Sequence, residues 1–274
     1  MSIDYTRVLI DNQGDICWVT INRPDDRNSI DSVLMEELLD ILENIENTKT
    51  RAIIFTGAGD SYFIGGADGI EMMQCDTESA RRFSSRIQKL FNRMEASPLI
   101  LVAAINGLCF GGGFEFSLAC DLRIAGETAR IGLPEVKVGI IPGGGGTQRL
   151  PALVGTGLAM EMILSGKLYA GKEAREIGLV HRVVPLDELG AETQNILRPI
   201  FRNPQYALSQ AKRAVHASRD GGLAAGLQVE SDAFSQCFKQ DFFLQTMQRQ
   251  LREGTLKTTV QLPDRIQVQG KEEI

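Results

Sequence analysis

The chain has 274 residues, with 43% hydrophobic and 23% charged side chains, a composition that excludes general disorder and leaves room for one large domain or two small ones. Its 28 glycines follow no G-X-Y period, so a collagen-type helix is excluded as well. A formal net charge of −6 with no run of Lys or Arg argues against nucleic acid and against anionic membrane surfaces as partners.

The chain opens with two short strands, TRVLI and ICWVTI, around the turn NQGD. The start has no apolar leader-like core. After the loop NRPDDRNS, Leu34, Leu38, Ile41, Leu42 and Ile45 recur at helical spacing on a helix that opens past Asp31. TRAIIFT (50–56) is a buried strand, followed by the Gly-rich loop GAGDSYFIGGADG (57–69). Phe83, Ile87, Leu90, Phe91 and Met94 predict a second amphipathic helix. LILVAAI (99–105) is a further strand, running into NGLCFGGGF and a helix from about Glu115. The uncharged stretch 96–114 is long enough to span a bilayer. It carries Pro98, Asn106 and four Gly, and it ends at Phe114-Glu115, so it reads as a buried strand and a tight turn rather than a membrane span.

DLRIA and ARIGL follow as short strands, and IPGGGGTQR (141–149) as a second Gly-rich loop. Helices are expected at 157–165 and 172–177, and a strand at LVHRVV. Alternating strands and helices of this kind specify an α/β domain with mainly parallel pairing. Beyond 186 the pattern turns helical, at 186–202, 205–218 and 222–252, before an extended tail from Thr255. The expected organisation is a core over 1–200 and a C-terminal helical assembly region over 201–274. Five widely spaced cysteines without a C-x-x-C pair point to reduced thiols and a cytoplasmic setting. With two distant histidines, His181 and His216, no metal site is expected.

Two phosphate-loop signals fail on inspection. Gly57-Ala58-Gly59 lacks its third glycine, since Tyr62 stands there; Gly166–Lys172 fits G-x-x-x-x-G-K, but Glu173 replaces the hydroxyl residue. The informative stretch is 106–150. Gly111-Gly112-Gly113 lies between a strand and a helix, where a backbone N–H, that of Gly112, can point at a developing oxyanion; its plainer reading is a simple turn. Glu115 follows between two phenylalanines, company that suggests burial and a raised pKa suited to acid–base chemistry, against the plainer role of helix-dipole partner. Glu135 precedes the second Gly-rich loop. It reads either as a surface residue paired with Lys137 or as a second carboxylate facing the same crevice.

The chain resembles the crotonase (enoyl-CoA hydratase/isomerase) superfamily. The resemblance is carried by Val19–Pro24, Phe63-Ile64-Gly65-Gly66-Ala67-Asp68, Asn106-Gly107, Gly111–Glu115, Ala119-Cys120-Asp121, Leu133-Pro134-Glu135, Val138–Gly143, Gly145–Leu150 and Ala174–Val180. It spans about residues 5–220. It implies a spiral of repeated ββα units with a C-terminal helical trimerisation region, and a homotrimer or hexamer. It implies an acyl-CoA thioester substrate and no cofactor beyond the coenzyme A of the substrate. The amides of Ala67 and Gly112 would form an oxyanion hole, Glu115 and Glu135 would be the catalytic acid–base pair, and Gly143 would place a water. Gly65, Gly66, Asp68 and Arg27 would contribute to substrate binding.

Both glutamates together favour hydration of a 2-enoyl thioester to a 3-hydroxyacyl thioester. The alternatives are enoyl-CoA isomerisation, racemisation or C–C cleavage on a CoA or carrier-protein thioester. Ser61 and Ile70 stand where hydratases commonly carry cations that meet the CoA phosphates. Arg23, Arg27 and Lys257 are the candidate replacements.

Overall fold

The computed structural model describes residues 5–257 and 259–260. In chain order it contains β1 (Val8–Gln13), β2 (Ile16–Ile21), α1 (Ser32–Glu46), β3 (Ala52–Gly57), β4 (Tyr62–Ile64), α2 (Gly69–Met72), α3 (Thr77–Glu95), β5 (Ile100–Ile105), β6 (Leu108–Phe110) and α4 (Gly112–Leu118). There follow β7 (Leu122–Gly126), β8 (Arg130–Gly132), α5 (Gly146–Val154), α6 (Thr156–Ser165), β9 (Tyr169–Ala170), α7 (Gly171–Glu176), β10 (Arg182–Val184), α8 (Leu189–Ile200), α9 (Gln205–Cys237) and α10 (Phe242–Arg252). Contacts divide the chain into two compact units, 1–209 and 210–274.

Within the first unit, successive passes of chain donate one strand to each of two sheets. The larger sheet runs β1-β2-β3-β5-β7-β10 and the smaller β4-β6-β8-β9. The pairs β3/β4, β5/β6 and β7/β8 each feed both sheets before a helix returns the chain, which is the expected ββα repeat. Pairing is parallel from β2 to β10 and from β4 to β8; β1–β2 and β8–β9 are antiparallel. The larger sheet is covered on both faces, as parallel sheets require. Ile53, Phe55, Leu101, Ala103 and Ile105 face the main core with α1, α3 and α4. Ala52, Ile54, Val102 and Ala104 face Leu189 and Leu197 of α8.

Four differences from the sequence reading bear on the site. The loop 57–69 contains β4, because Tyr62 and Ile64 pair with β6. The helix expected from Glu115 starts at Gly112, and the loop 141–149 ends in α5, which starts at Gly146. Glycine's poor helix propensity hides both starts; tertiary contacts override it. LVHRVV contributes only Arg182–Val184 to the sheet, the three residues that register with β7. In the second unit the chain breaks helix at Gly222, which sits at φ 72°, and again before α10, where Phe238 packs on Phe243 at 5.2 Å. Of the expected tail, residues 258 and 261–274 lie outside the described residues. No described helix is long and apolar enough to cross a membrane.

α4 is anchored by an aromatic cluster. The fully buried Phe116 meets Phe55, Phe91 and Phe63 edge-to-face at 5.0, 5.9 and 6.1 Å. Phe116→Ala is expected to cost about 3–5 kcal/mol through cavity formation. A drop of this size in the stability of the folded protein, measured by chemical denaturation, checks the anchoring.

Candidate active site

Three glycine-rich segments converge where α4 begins. Gly111 adopts φ 57° and ψ −130°, a region closed to side-chain-bearing residues, and this turns the chain sharply out of β6. At Gly113 any Cβ would collide with the carbonyl of Ile64. Bare backbone at these positions lets α4 press against the 64–67 segment. A methyl group placed on Gly112 would lie 3.0 Å from the Ala67 amide nitrogen, so the two residues are neighbours. Gly112 is the first residue of a helix, where the N–H has no intrahelical acceptor. Neither amide, Ala67 or Gly112, has an acceptor among the described residues. Two adjacent, unspent N–H donors form a site for a negative oxygen.

The 65–68 segment is held by a buried ionic network. Ile30 donates to the Gly66 carbonyl at 2.8 Å and Asp68 donates back to Ile30 at 2.8 Å, which bridges Ala67 to Ile30. The Asp68 carboxylate caps α2 through the Ile70 and Glu71 amides. It also accepts from Arg23 at 3.0 Å. Arg23 is itself buried and pairs with Asp26 and Asp31 as well. This corrects one expectation: three carboxylates consume Arg23, so it is not available as a replacement cation for a phosphate. Asp68 is likewise committed to Arg23 and to the helix cap. Arg27 sits in the left-handed region at φ 59°, and its carbonyl accepts from Gly65 at 2.9 Å. Its exposed side chain stands at the edge of the same segment. Ile70 and Ser61 are exposed and offer no charge. Lys257 lies in the second unit.

Glu115 is 2% exposed. Its Oε1 accepts from the Gly144 amide at 2.8 Å and the Gly146 amide at 2.7 Å. These donors lie at the N-terminus of α5, where a carboxylate is favoured. Burial still pushes the Glu115 pKa up, against those donors and the positive charge of Arg149. Oε2 receives neither of these two amides.

Glu135 opens the 3-10 turn Glu135–Val138. Its plainer reading, a pair with Lys137, is not what the structure holds. Although the residue is half-buried, both carboxylate oxygens are buried and have no hydrogen-bond partner. Oε1 lies 3.4 Å from a methyl group placed on Gly111, beside the residue that precedes the Gly112 donor. Burial pushes Glu135 up to about 7, and the negative charge of Glu115 adds to the rise. Gly143 faces α3 with its carbonyl, which accepts from Ser84 at 2.7 Å and Gln88 at 2.8 Å.

Ala67, Gly112, Glu115 and Glu135 are thus brought together, with Gly65 and Gly66 supporting Ala67. Sequence reasoning missed Gly144 and Gly146, because a main-chain donor leaves no signature beyond a Gly-rich run. Chemically, two orphan N–H groups beside two buried carboxylates can stabilise an enolate oxygen and move protons at adjacent carbons.

The family model described as enoyl-CoA hydratase/isomerase matches residues 11–255. The chain is 38% identical over 240 residues to a short-chain-enoyl-CoA hydratase of Clostridium acetobutylicum, covering 87% of this chain and 92% of that protein. It is 35% identical over 235 residues to a crotonyl-CoA hydratase of Syntrophomonas wolfei, covering 85% and 90%. A solved enoyl-CoA hydratase from Bacillus anthracis superposes with a TM-score of 0.84 at 38% identity, covering 91% of this chain and 97% of that one.

The buried, unpartnered Glu135 has a consequence for stability. Between the ordinary carboxylate range and about 7, the folded protein holds a proton that the unfolded chain releases. The stability contribution of this site is therefore full at acid pH and is lost as pH rises through that window. Glu135→Gln, with no charge to bury, is expected to be more stable than wild type at pH 8, by of order 1–3 kcal/mol. The gap should close near pH 4. Paired thermal melts at the two pH values check this, and equal stability at pH 8 refutes it.

Proposed function

The chain belongs to the enoyl-CoA hydratase/isomerase family, and on that premise we propose that it hydrates a 2-enoyl-CoA to the 3-hydroxyacyl-CoA with Glu115 and Glu135 as its acid–base pair. The observation that carries this reading is the juxtaposition of two unspent amides, of Ala67 and Gly112, with two buried carboxylates. The thioester carbonyl accepts from both amides, which draws electron density from the conjugated double bond and makes C3 electrophilic. Water attacks C3, and Oε2 of Glu115 takes its proton. The thioester enolate is held by the two N–H donors; one such donor contributes roughly 3–4 kcal/mol in other oxyanion holes. Glu135 gives its proton to C2, and the double bond is consumed with H on C2 and OH on C3.

The environments support this division of labour. Glu115 receives two amide donors, which favour its charged form; Glu135 receives none, which favours its neutral form. The negative charge of Glu115 also helps keep the proton on Glu135. Gly143 contributes its N–H to the water. Arg27, exposed beside Gly65, supplies the cation that Ser61 and Ile70 lack. The C-terminal helical region, 201–274, mediates a homotrimer or hexamer, a reading supported by its exposed Phe234, Phe238, Phe242 and Phe243.

Crotonyl-CoA turnover, followed by loss of the conjugated thioester absorbance, tests the chemistry. Glu115→Gln and Glu135→Gln should each lower kcat by about 10² or more while the protein stays folded. Near-wild-type turnover by either variant rejects the assignment. Double-bond migration on 3-enoyl-CoA with no 3-hydroxy product would instead make the protein an isomerase. Arg27→Ala should raise KM for crotonyl-CoA about 3- to 10-fold at nearly unchanged kcat, the signature of a lost phosphate contact.

A further inference from the structure

The segment that grips Glu115 cannot hold itself. Gly143-Gly144-Gly145-Gly146 has no side chains, and glycine backbone is the costliest to order. Its restraint comes from α3. α3 carries Ser84, Gln88, Asn92 and the buried Glu95, spaced four, four and three residues apart and so aligned along one line of the helix. All four are turned to the same task. Ser84 Oγ and Gln88 Nε2 both donate to the Gly143 carbonyl, at 2.7 and 2.8 Å. The Glu95 carboxylate accepts from Nε and Nη2 of Arg149 at 3.0 and 2.9 Å, and Asn92 Oδ1 accepts from Nη2 at 2.7 Å. Arg149 then donates through Nη1 to the Gly144 carbonyl at 2.9 Å. Its side chain and that of Glu95 are 7% and 8% exposed.

Carbonyls 143 and 144 are therefore fixed from α3, while amides 144 and 146 close on Glu115 Oε1. We infer that the polar line Ser84–Gln88–Asn92–Glu95, partly through Arg149, is a positioning device that keeps the Gly144 and Gly146 amides on Glu115 in its charged, proton-accepting form. The inference rests on reading Glu115 as the acceptor of the water proton. The titratable and charged groups facing Glu115 are Arg149 from α5 and Glu135 from the 3-10 turn, with Glu95 of α3 behind Arg149. Loosening the glycine segment weakens two amide donors without removing any of those charges, so Glu115 binds its proton more tightly.

The test is the double variant Ser84→Ala/Gln88→Ala, assayed with crotonyl-CoA across pH. These two side chains lie on the half-buried to exposed side of α3 and belong to no buried ion pair. The expected result is a kcat lowered about 10-fold or more, with KM within about twofold. The acid limb of the kcat–pH profile should move to higher pH. Ser84→Thr in the Gln88 background, which keeps the hydroxyl, should restore both. A wild-type kcat and an unmoved acid limb in the folded double variant overturn the inference. Should the double variant fail to fold, Ser84→Ala against Ser84→Thr decides: Ala must move the limb and Thr must not, and equal behaviour overturns it. Glu115→Gln, run alongside, separates the two readings. If it retains turnover, the proton-acceptor assignment itself fails; if it is inactive while the double variant behaves as wild type, only the positioning role fails.

Discussion

The close approach of α4 to the 64–67 segment is the constraint on which the site is built. Helix and loop meet backbone to backbone, because Gly113 and Gly112 present no Cβ to Ile64 and Ala67. That contact sets the two amides side by side. It also fixes the axis of α4, and thus where Glu115, one turn along, is aimed. The aromatic cluster on Phe116 and the Arg23–Asp68 network secure the two partners of the contact from opposite sides. Neither supplies a reacting atom, yet loosening either would spread the donors.

Electrostatics then separates two residues of the same type. Glu115 and Glu135 are both pushed upward by burial, but the protein satisfies one and not the other. An unpartnered buried carboxylate is costly, and cores seldom keep one. Here the cost leaves a carboxyl that holds its proton up to about 7 beside a carboxyl held by two amides. The fold meets that cost elsewhere, in the doubly covered sheet of the first unit.

Much of this was readable from the residues. Alternation and helical spacing located β3, β5, α1 and α3, since burial imposes periods of two and 3.6 on apolar residues. Gly112, Glu115 and Glu135 stood out because glycine triplets and acids in apolar company are chemically odd. Arg23 misled for the opposite reason: a charge looks free in a sequence, and its three acidic partners include Asp68, 45 residues away. In the sequence α3 was legible only by its apolar positions, which leaves the side bearing Ser84, Gln88, Asn92 and Glu95 unread. Only the packing of α3 against the 143–149 segment gives that side a purpose.

The strand–strand–helix repeat was implied only by the family resemblance; by itself, the order of side chains determined an α/β chain with mainly parallel pairing, a glycine triplet between a strand and a helix, and two candidate acids. It did so because hydrophobic periodicity and backbone freedom are local properties. The tertiary structure alone decided which amides are left without acceptors, that Oε1 of Glu115 is held while Glu135 is bare, and that Arg149 serves the glycine segment. Those outcomes depend on which distant groups reach one another, and hydrogen bonding and desolvation are settled only when they do.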